Sequence, residues 1–368
     1  MKSRVLLTGC CGFIGAWMTQ ELIRAGYSVR GTSIDPAYAQ RLHDEAFASR
    51  KATVEERERL EIVRAELLDG GSWRGAADGC DVVVHTACPV NTDSGAGKSS
   101  MHDPAVLGTE NVVREAARAG SIQKFIHLSS VVTLLDHYRP VKHPERGERL
   151  GPGSWNETAS SDMDPYAHAK VIAERSARRL VQDLMPGTVF ASLLPGPVIG
   201  PAVAGERVAA SIEKTMAPFL SGQLKAGSVE MWLQMVDVRD VAAACVGLVG
   251  ASNETVQKLG ENSRFIVVSQ PVRRIQEIAD IIAQDFPEYR SLLPKRSLPL
   301  PRWLLVAAMR PAVTREAWLY TRAMLGRPVH YDTSLTEALS GVHWRTSRET
   351  LGDTIRWLRE KGRYLPNK

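Results

Sequence analysis

The chain has 368 residues, 44% of them hydrophobic and 24% charged, enough for a sizeable core and ordinary for a soluble α/β protein. A formal net charge of +5 with no Lys/Arg block argues against nucleic acid as a partner, and leaves a small anionic ligand open. Five cysteines (Cys10, Cys11, Cys80, Cys88, Cys245) without C-x-x-C spacing argue against a disulfide framework and a zinc site, and point to reduced thiols in a cytoplasm.

Met1 runs through "KSR" straight into a strand-like run and a glycine loop, which leaves no room for a signal peptide. No apolar run approaches the roughly 20 residues of a membrane-spanning helix. Short β-branched runs then alternate with helical patterns. Strands are expected at 4–8, 28–32, 61–67, 81–87, 124–130 and 188–195, and helices at 13–25, 37–59, 72–79, 104–119 and 164–185. Six strands in this rhythm predict an α/β fold with a doubly wound parallel sheet. After Pro195 comes a Pro/Gly-rich loop, a helical 206–222, an extended "EMWLQMVDVRD" and a strand-like "RFIVVS" at 264–269. From about 272 the chain is mostly helical. The expected division is a dinucleotide-binding domain, 1–195 with 230–271, and a smaller helical lobe covering the strand ends, 196–229 with 272–368.

The first strand leads into "TGCCGFIG", with Gly9, Gly12 and Gly15 ahead of a helix. A Cβ at these positions would block the turn and the approach of backbone N–H groups to a pyrophosphate, which the helix amino terminus then receives. Phe13 and Ile14 belong to the same loop. At the end of the second strand Ser33 stands where an NAD binder places an acid, so a 2′-phosphate meets no carboxylate there. That favours NADP and leaves NAD open. Asp35 reads as a turn-opening residue before Pro36. Ile34 brings no charge, so a phosphate-binding arginine either comes from elsewhere, with Arg30 and Arg41 the candidates, or is absent.

Asp164 and Pro165 read as the N-cap and first residue of a helix. At 100° per residue, Tyr166, Ala169, Lys170, Ala173, Ala177, Leu180, Val181 and Leu184 share one face, with His168, Arg175, Arg178, Arg179 and Gln182 opposite. An ammonium on an apolar stripe is costly. Lys170 either snorkels past the helix end, or it stabilises the phenolate of Tyr166 so that the phenol exchanges a proton with a carbonyl or alcohol. Beside a dinucleotide loop the second reading is favoured. Ser129 and Ser130 finish the fifth strand at its carboxyl end, where a hydroxyl can polarise the substrate oxygen.

Glycine loop, strand-end serine and Y-x-x-x-K together resemble the extended short-chain dehydrogenase/reductase superfamily. Within it the chain is most similar to the dihydroflavonol reductase, cinnamoyl-CoA reductase and ketone/aldehyde reductase group. "GYSVRGT", "VVVHTACP", "GTENVVREA", "LLPGPVIGP", "VDVRDVAAA" and "RFIVVS" extend the likeness along nearly the whole chain. The resemblance implies a Rossmann-type sheet and an NAD(P)-dependent oxidoreductase, with Tyr166 as general acid, Lys170 as its partner and Ser130 as oxyanion donor. It implies cofactor contacts at Thr86, Ala87, Pro195, Val198 and Leu67, and at Glu66, which falls where the family has an adenine-binding Asp. The reductase group usually carries arginine where this chain has Ile34. Homodimerisation through the 104–119 and 164–185 helices is common in the superfamily.

The implied substrate is a fairly apolar small carbonyl or secondary alcohol. Its identity is expected to lie in the helical lobe and in loops 89–103 and 134–163, with Trp155, Met163, Phe219, Trp232 and Met235 as pocket candidates. Two other readings compete. A nucleotide-sugar epimerase or dehydratase shares the framework but generally shows an acid on the second strand. A non-catalytic dinucleotide sensor typically loses the tyrosine or lysine.

Overall fold

The computed structural model describes residues 2–88, 99–136, 149–162, 164–205, 207–295, 302–309, 318 and 325–366. Seven strands form the central sheet: β1 (Arg4–Thr8), β2 (Ser28–Ser33), β3 (Leu60–Arg64), β4 (Val82–His85), β5 (Lys124–Leu128), β6 (Val189–Pro195) and β7 (Arg264–Val267). They are parallel throughout, in the order β7-β6-β5-β4-β1-β2-β3. This is the doubly wound sheet expected from sequence, extended by β7 at one edge. The strand order reverses between β1 and β4, so a crevice opens above their carboxyl ends.

Helices bury both faces, so every residue of β4, β5 and β6 is buried. On one face α1 (Phe13–Arg24) lies beneath the first two strands, followed by α2 (Pro36–Ser49) and the short α3 (Val54–Glu58). The opposite face carries α4 (Ser99–Ala119) and α5 (Pro165–Leu184), packed on each other. The helix α6 (Ala210–Leu220) follows the Pro/Gly loop, and α7 (Val238–Gly250) returns to pack on α1. Val5, Met18, Val29, Val84, Val241 and Leu248 form the core on the α1/α7 face, and Leu6, Val83, Val112, Phe125, Ala177 and Phe190 that on the α4/α5 face.

A third apolar cluster joins α6 to α8 (Ile275–Asp285) and α9 (Ser347–Glu360) through Ile212, Phe219, Ile278, Ile282, Ile355 and Leu358. Ile199 belongs to the same cluster and Phe13 packs against it, so this helical group is seated over the glycine loop.

Three local expectations are corrected. The helix expected over 37–59 is two: α2 stops at Ser49, Lys51 turns the chain at φ 55°, and Thr53 opens α3 by a reciprocal capping box with Glu56. The stretch 72–79 is no helix; a single 3₁₀ turn at Gly70–Trp73 gives way to turns at Gly75 and Gly79, both with positive φ. Arg178, expected on the polar face of α5, is buried with its guanidinium 4.7 Å from the Phe190 ring centroid.

Candidate active site

The crevice holds a cavity of about 610 Å³, bordered by the glycine loop, the ends of β2, β4 and β5, the start of α5 and the loop after β6. Gly9 adopts φ +70° and accepts a hydrogen bond from the Gly12 N–H at 3.0 Å. A Cβ on Gly15 would stand 2.2 Å from the Gly9 carbonyl oxygen, and one on Gly9 would stand 3.1 Å from the Ala87 Cα. Side chains are therefore excluded where a ligand must approach backbone. Gly12 caps α1 without a side chain, so the first N–H groups of the helix remain for an anion. This cradle fits a dinucleotide's pyrophosphate.

Thr8 ties β1 to β4 at the switch point. Its Oγ1 accepts from the backbone N–H of Thr86 and of Ala87, each at 3.0 Å, and meets His85 Nδ1 at 2.8 Å. Gly9, Gly12, Phe13, Ile14, Gly15, Ser33, Leu67, Thr86, Ala87, Pro195 and Val198 all border the cavity. Glu66 does not: it lies between two lining residues, Ala65 and Leu67, with a half-exposed carboxylate 3.7 Å from Arg64 Nη2. Arg30 is committed elsewhere, donating to Glu61 at 2.9 Å and to the carbonyls of Gly75, Ala76 and Asp78.

Tyr166, Lys170 and Ser130 come together on the same cavity. Asp164 accepts from the Ala167 N–H at 3.0 Å and, with Pro165 behind it, fixes the first turn of α5. Lys170 is 6% exposed and donates to the Leu128 carbonyl at 3.3 Å, so it does not snorkel. Burial pulls its pKa down, but its electrostatic interactions with Cys88, Tyr166 and Glu174 and a hydrogen bond with Cys88 outweigh that pull and leave it raised. It is held as an ammonium. The two serines divide their tasks. Ser129 donates to Glu174 at 2.6 Å, whereas among the described residues Ser130 has only long contacts, 3.5 Å to the Pro195 carbonyl and 3.4 Å from the Val132 N–H.

Behind Lys170 sits a histidine pair that the sequence reading missed. His85 and His127 are register partners on β4 and β5, with ring centroids 5.6 Å apart. His85 is held between Thr8 and Thr109, while neither ring nitrogen of His127 has a partner among the described residues. Burial first, then the Lys170 and Arg178 charges, lower His127 to about 3; burial, His127 and Lys170 push His85 well down. Both are neutral fillers beside the ammonium. Their one signal in the sequence was a histidine within each of two strands rich in apolar residues.

Of the substrate-side candidates, Trp232 borders the cavity, together with Leu135, Leu233, Val329 and Tyr331. Phe219 and Met235 are core, and Trp155 is covered by Arg264, 3.7 Å from its ring centroid. Met163 and the loop stretches 89–98 and 137–148 lie outside the described residues.

A model of the NAD dependent epimerase/dehydratase family matches residues 5–259. Cinnamoyl-CoA reductase 1 of Petunia hybrida is 32% identical over 364 residues, covering 98% of this chain and 93% of that one. Dihydroflavonol 4-reductase of Hordeum vulgare is 27% identical over 301 residues, covering 78% and 76%. Among solved structures, the yeast methylglyoxal/isovaleraldehyde reductase complexed with NADPH superposes with a TM-score of 0.70 at 20% identity, covering 98% of this chain and 99% of that one. No helix among the described residues is long and apolar enough to cross a membrane. The chain belongs to the NAD dependent epimerase/dehydratase family, the extended short-chain dehydrogenases/reductases, and is an NAD(P)-dependent oxidoreductase acting on C=O or CH–OH groups of small molecules.

Proposed function

We propose that the chain reduces the carbonyl of a fairly apolar small molecule, with Ser130, Tyr166 and Lys170 as its catalytic residues and NADPH as the preferred reductant. The observation that carries this reading is the convergence of the three side chains on the cavity that the glycine loop borders, with Lys170 buried as an ammonium. The bound nicotinamide supplies the hydride. Ser130 Oγ, with no short hydrogen bond among the described residues, donates to the substrate oxygen as its negative charge grows. Tyr166 gives its phenolic proton to that oxygen, and Lys170 stabilises the phenolate that remains. Solvent then reprotonates the phenol. The apolar border formed by Leu135, Trp232, Leu233 and Val329 supports an aryl or alicyclic substrate.

The division into a dinucleotide-binding domain (1–195 with 230–271) and a substrate lobe (196–229 with 272–368) is part of the same reading, supported by the separate cluster around α6, α8 and α9. So are a cytoplasmic setting and a homodimer through α4 and α5, on which Leu107 and Leu184 are exposed.

The test is turnover of NADPH and NADH, side by side, with a panel of aryl and alicyclic ketones and aldehydes. Consumption of cofactor with formation of the alcohol is expected. Tight cofactor binding with no consumption across the panel would instead favour a sensor, and conversion of a nucleotide sugar without net cofactor consumption would favour an epimerase.

A further inference from the structure

Resting on the dinucleotide reading above, we propose that Arg64, at the end of β3, is the residue that recognises the 2′-phosphate of NADP in this chain, in the place of a cation on the loop after β2. That loop offers none. Ile34 borders the cavity and is 69% exposed, Ser33 is neutral, and Arg30 is held by Glu61 and three backbone carbonyls. Arg41 stands exposed on α2, more than a turn beyond Pro36.

Register places Arg64 beside the site. Ser33 and Arg64 are partners across the parallel β2/β3 pair, neighbours at the roughly 4.8 Å strand spacing. Alternation puts both side chains on one face. Val29 and Ile62 pack in the α1/α7 core and Val63 in the opposite one, so Ser33, four residues after Val29, and Arg64, two after Ile62, point to the α1 side. An anion seated over Ser33 therefore has the Arg64 guanidinium next to it.

Arg64 is also available. Its side chain is 60% exposed, it makes no hydrogen bond among the described residues, and its ion contact is the 3.7 Å approach to Glu66, too long for a good hydrogen bond. A guanidinium can bind a phosphate monoester through two parallel N–H···O bonds, a stronger partnership than this loose contact. Glu66, whose carboxylate lies 3.7 Å from Arg64, moderates the preference for a phosphate.

The test is calorimetric titration of the full chain with adenosine 2′,5′-bisphosphate and with 5′-AMP, probes that lack nicotinamide and need no turnover. Arg64→Ala should weaken the bisphosphate roughly 10- to 100-fold, as expected for losing a charged hydrogen-bonding partner, and leave 5′-AMP unchanged. Glu66→Gln should tighten the bisphosphate alone. Arg207, stacked on Tyr38 at 5.2 Å, is the comparison, and Arg207→Ala should change neither. An unchanged bisphosphate affinity in Arg64→Ala, an equal loss for both probes, or a selective loss in Arg207→Ala overturns the assignment. If wild-type protein binds NAD(H) and NADP(H) equally, the assignment alone fails. If it binds neither, the dinucleotide reading fails with it.

Discussion

Glu174→Gln removes the charge from a buried ion pair that braces α5. Glu174 and Arg264 have fully buried side chains, with Arg264 Nε 2.7 Å and Nη2 3.3 Å from the carboxylate, which also accepts from Ser129 at 2.6 Å. Arg264 spends its remaining donors on Thr133 Oγ1 at 2.7 Å and on the carbonyls of Pro152 and Ser154. The variant keeps the shape but leaves a guanidinium in the interior with neutral acceptors only. Breaking such a pair costs about 3–5 kcal/mol, a large share of the roughly 5–15 kcal/mol that holds a typical domain folded. Because glutamine retains one acceptor oxygen for Nε, the lower end, about 3 kcal/mol, is expected. Burial alone would raise the Glu174 carboxyl, but the Arg264 charge and the hydrogen bonds from Arg264 and Ser129 outweigh it and hold its pKa below the ordinary 4.5. A carboxyl depressed in the folded state contributes stability above its unfolded pKa and loses it as pH falls through the folded value. Urea unfolding followed by tryptophan fluorescence should show the full loss at pH 7 and a smaller gap between variant and wild type below pH 4.5. A variant within about 0.5 kcal/mol of wild type at pH 7 would refute the claim that this pair braces α5.

Gly15→Ala places a methyl group 2.2 Å from a backbone oxygen that has no flexible end to swing away, so the loop itself must move. An overpacking cost of about 1–3 kcal/mol, if borne by the cofactor-binding form of the loop, corresponds to roughly 5- to 150-fold weaker cofactor binding, measured by quenching of protein fluorescence; unchanged affinity would remove the steric reason for this glycine. His43 is fully buried, hydrogen-bonded to Cys10 O at 3.1 Å and Gln20 at 3.0 Å, and burial lowers it from 6.5 to about 4. The unfolded chain then binds the extra proton between these values, so stability is full above pH 6.5 and falls by roughly 3 kcal/mol on the way to pH 4. His43→Gln should flatten that part of the pH profile, and an unaltered slope would contradict it.

The glycine loop, the strand rhythm and the position of Lys170 were legible because each depends on local spacing: a turn that needs glycine, a period of two, a period of 3.6. The same spacing placed Arg178 on the solvent side of α5, and there it misled. Glu174 and Arg178 are buried because β7 and the loop at 260–263 cross that face, a contact between segments some 85 residues apart that periodicity does not encode. His85 and His127 were unreadable for the same reason, since their adjacency is a matter of strand register. The break between α2 and α3 was different. The T-x-x-E capping box at Thr53 and Glu56 was present in the sequence, and a periodic reading of 37–59 passed over it.

The central claim is that the phenol beside a buried ammonium carries the proton. Tyr166→Phe keeps the ring and removes only the hydroxyl. NADPH consumption with the best carbonyl of the panel should fall by about 10²- to 10⁴-fold, while NADPH affinity measured by fluorescence stays within a factor of about two. A Tyr166→Phe protein that reduces that substrate at the wild-type rate would contradict the account.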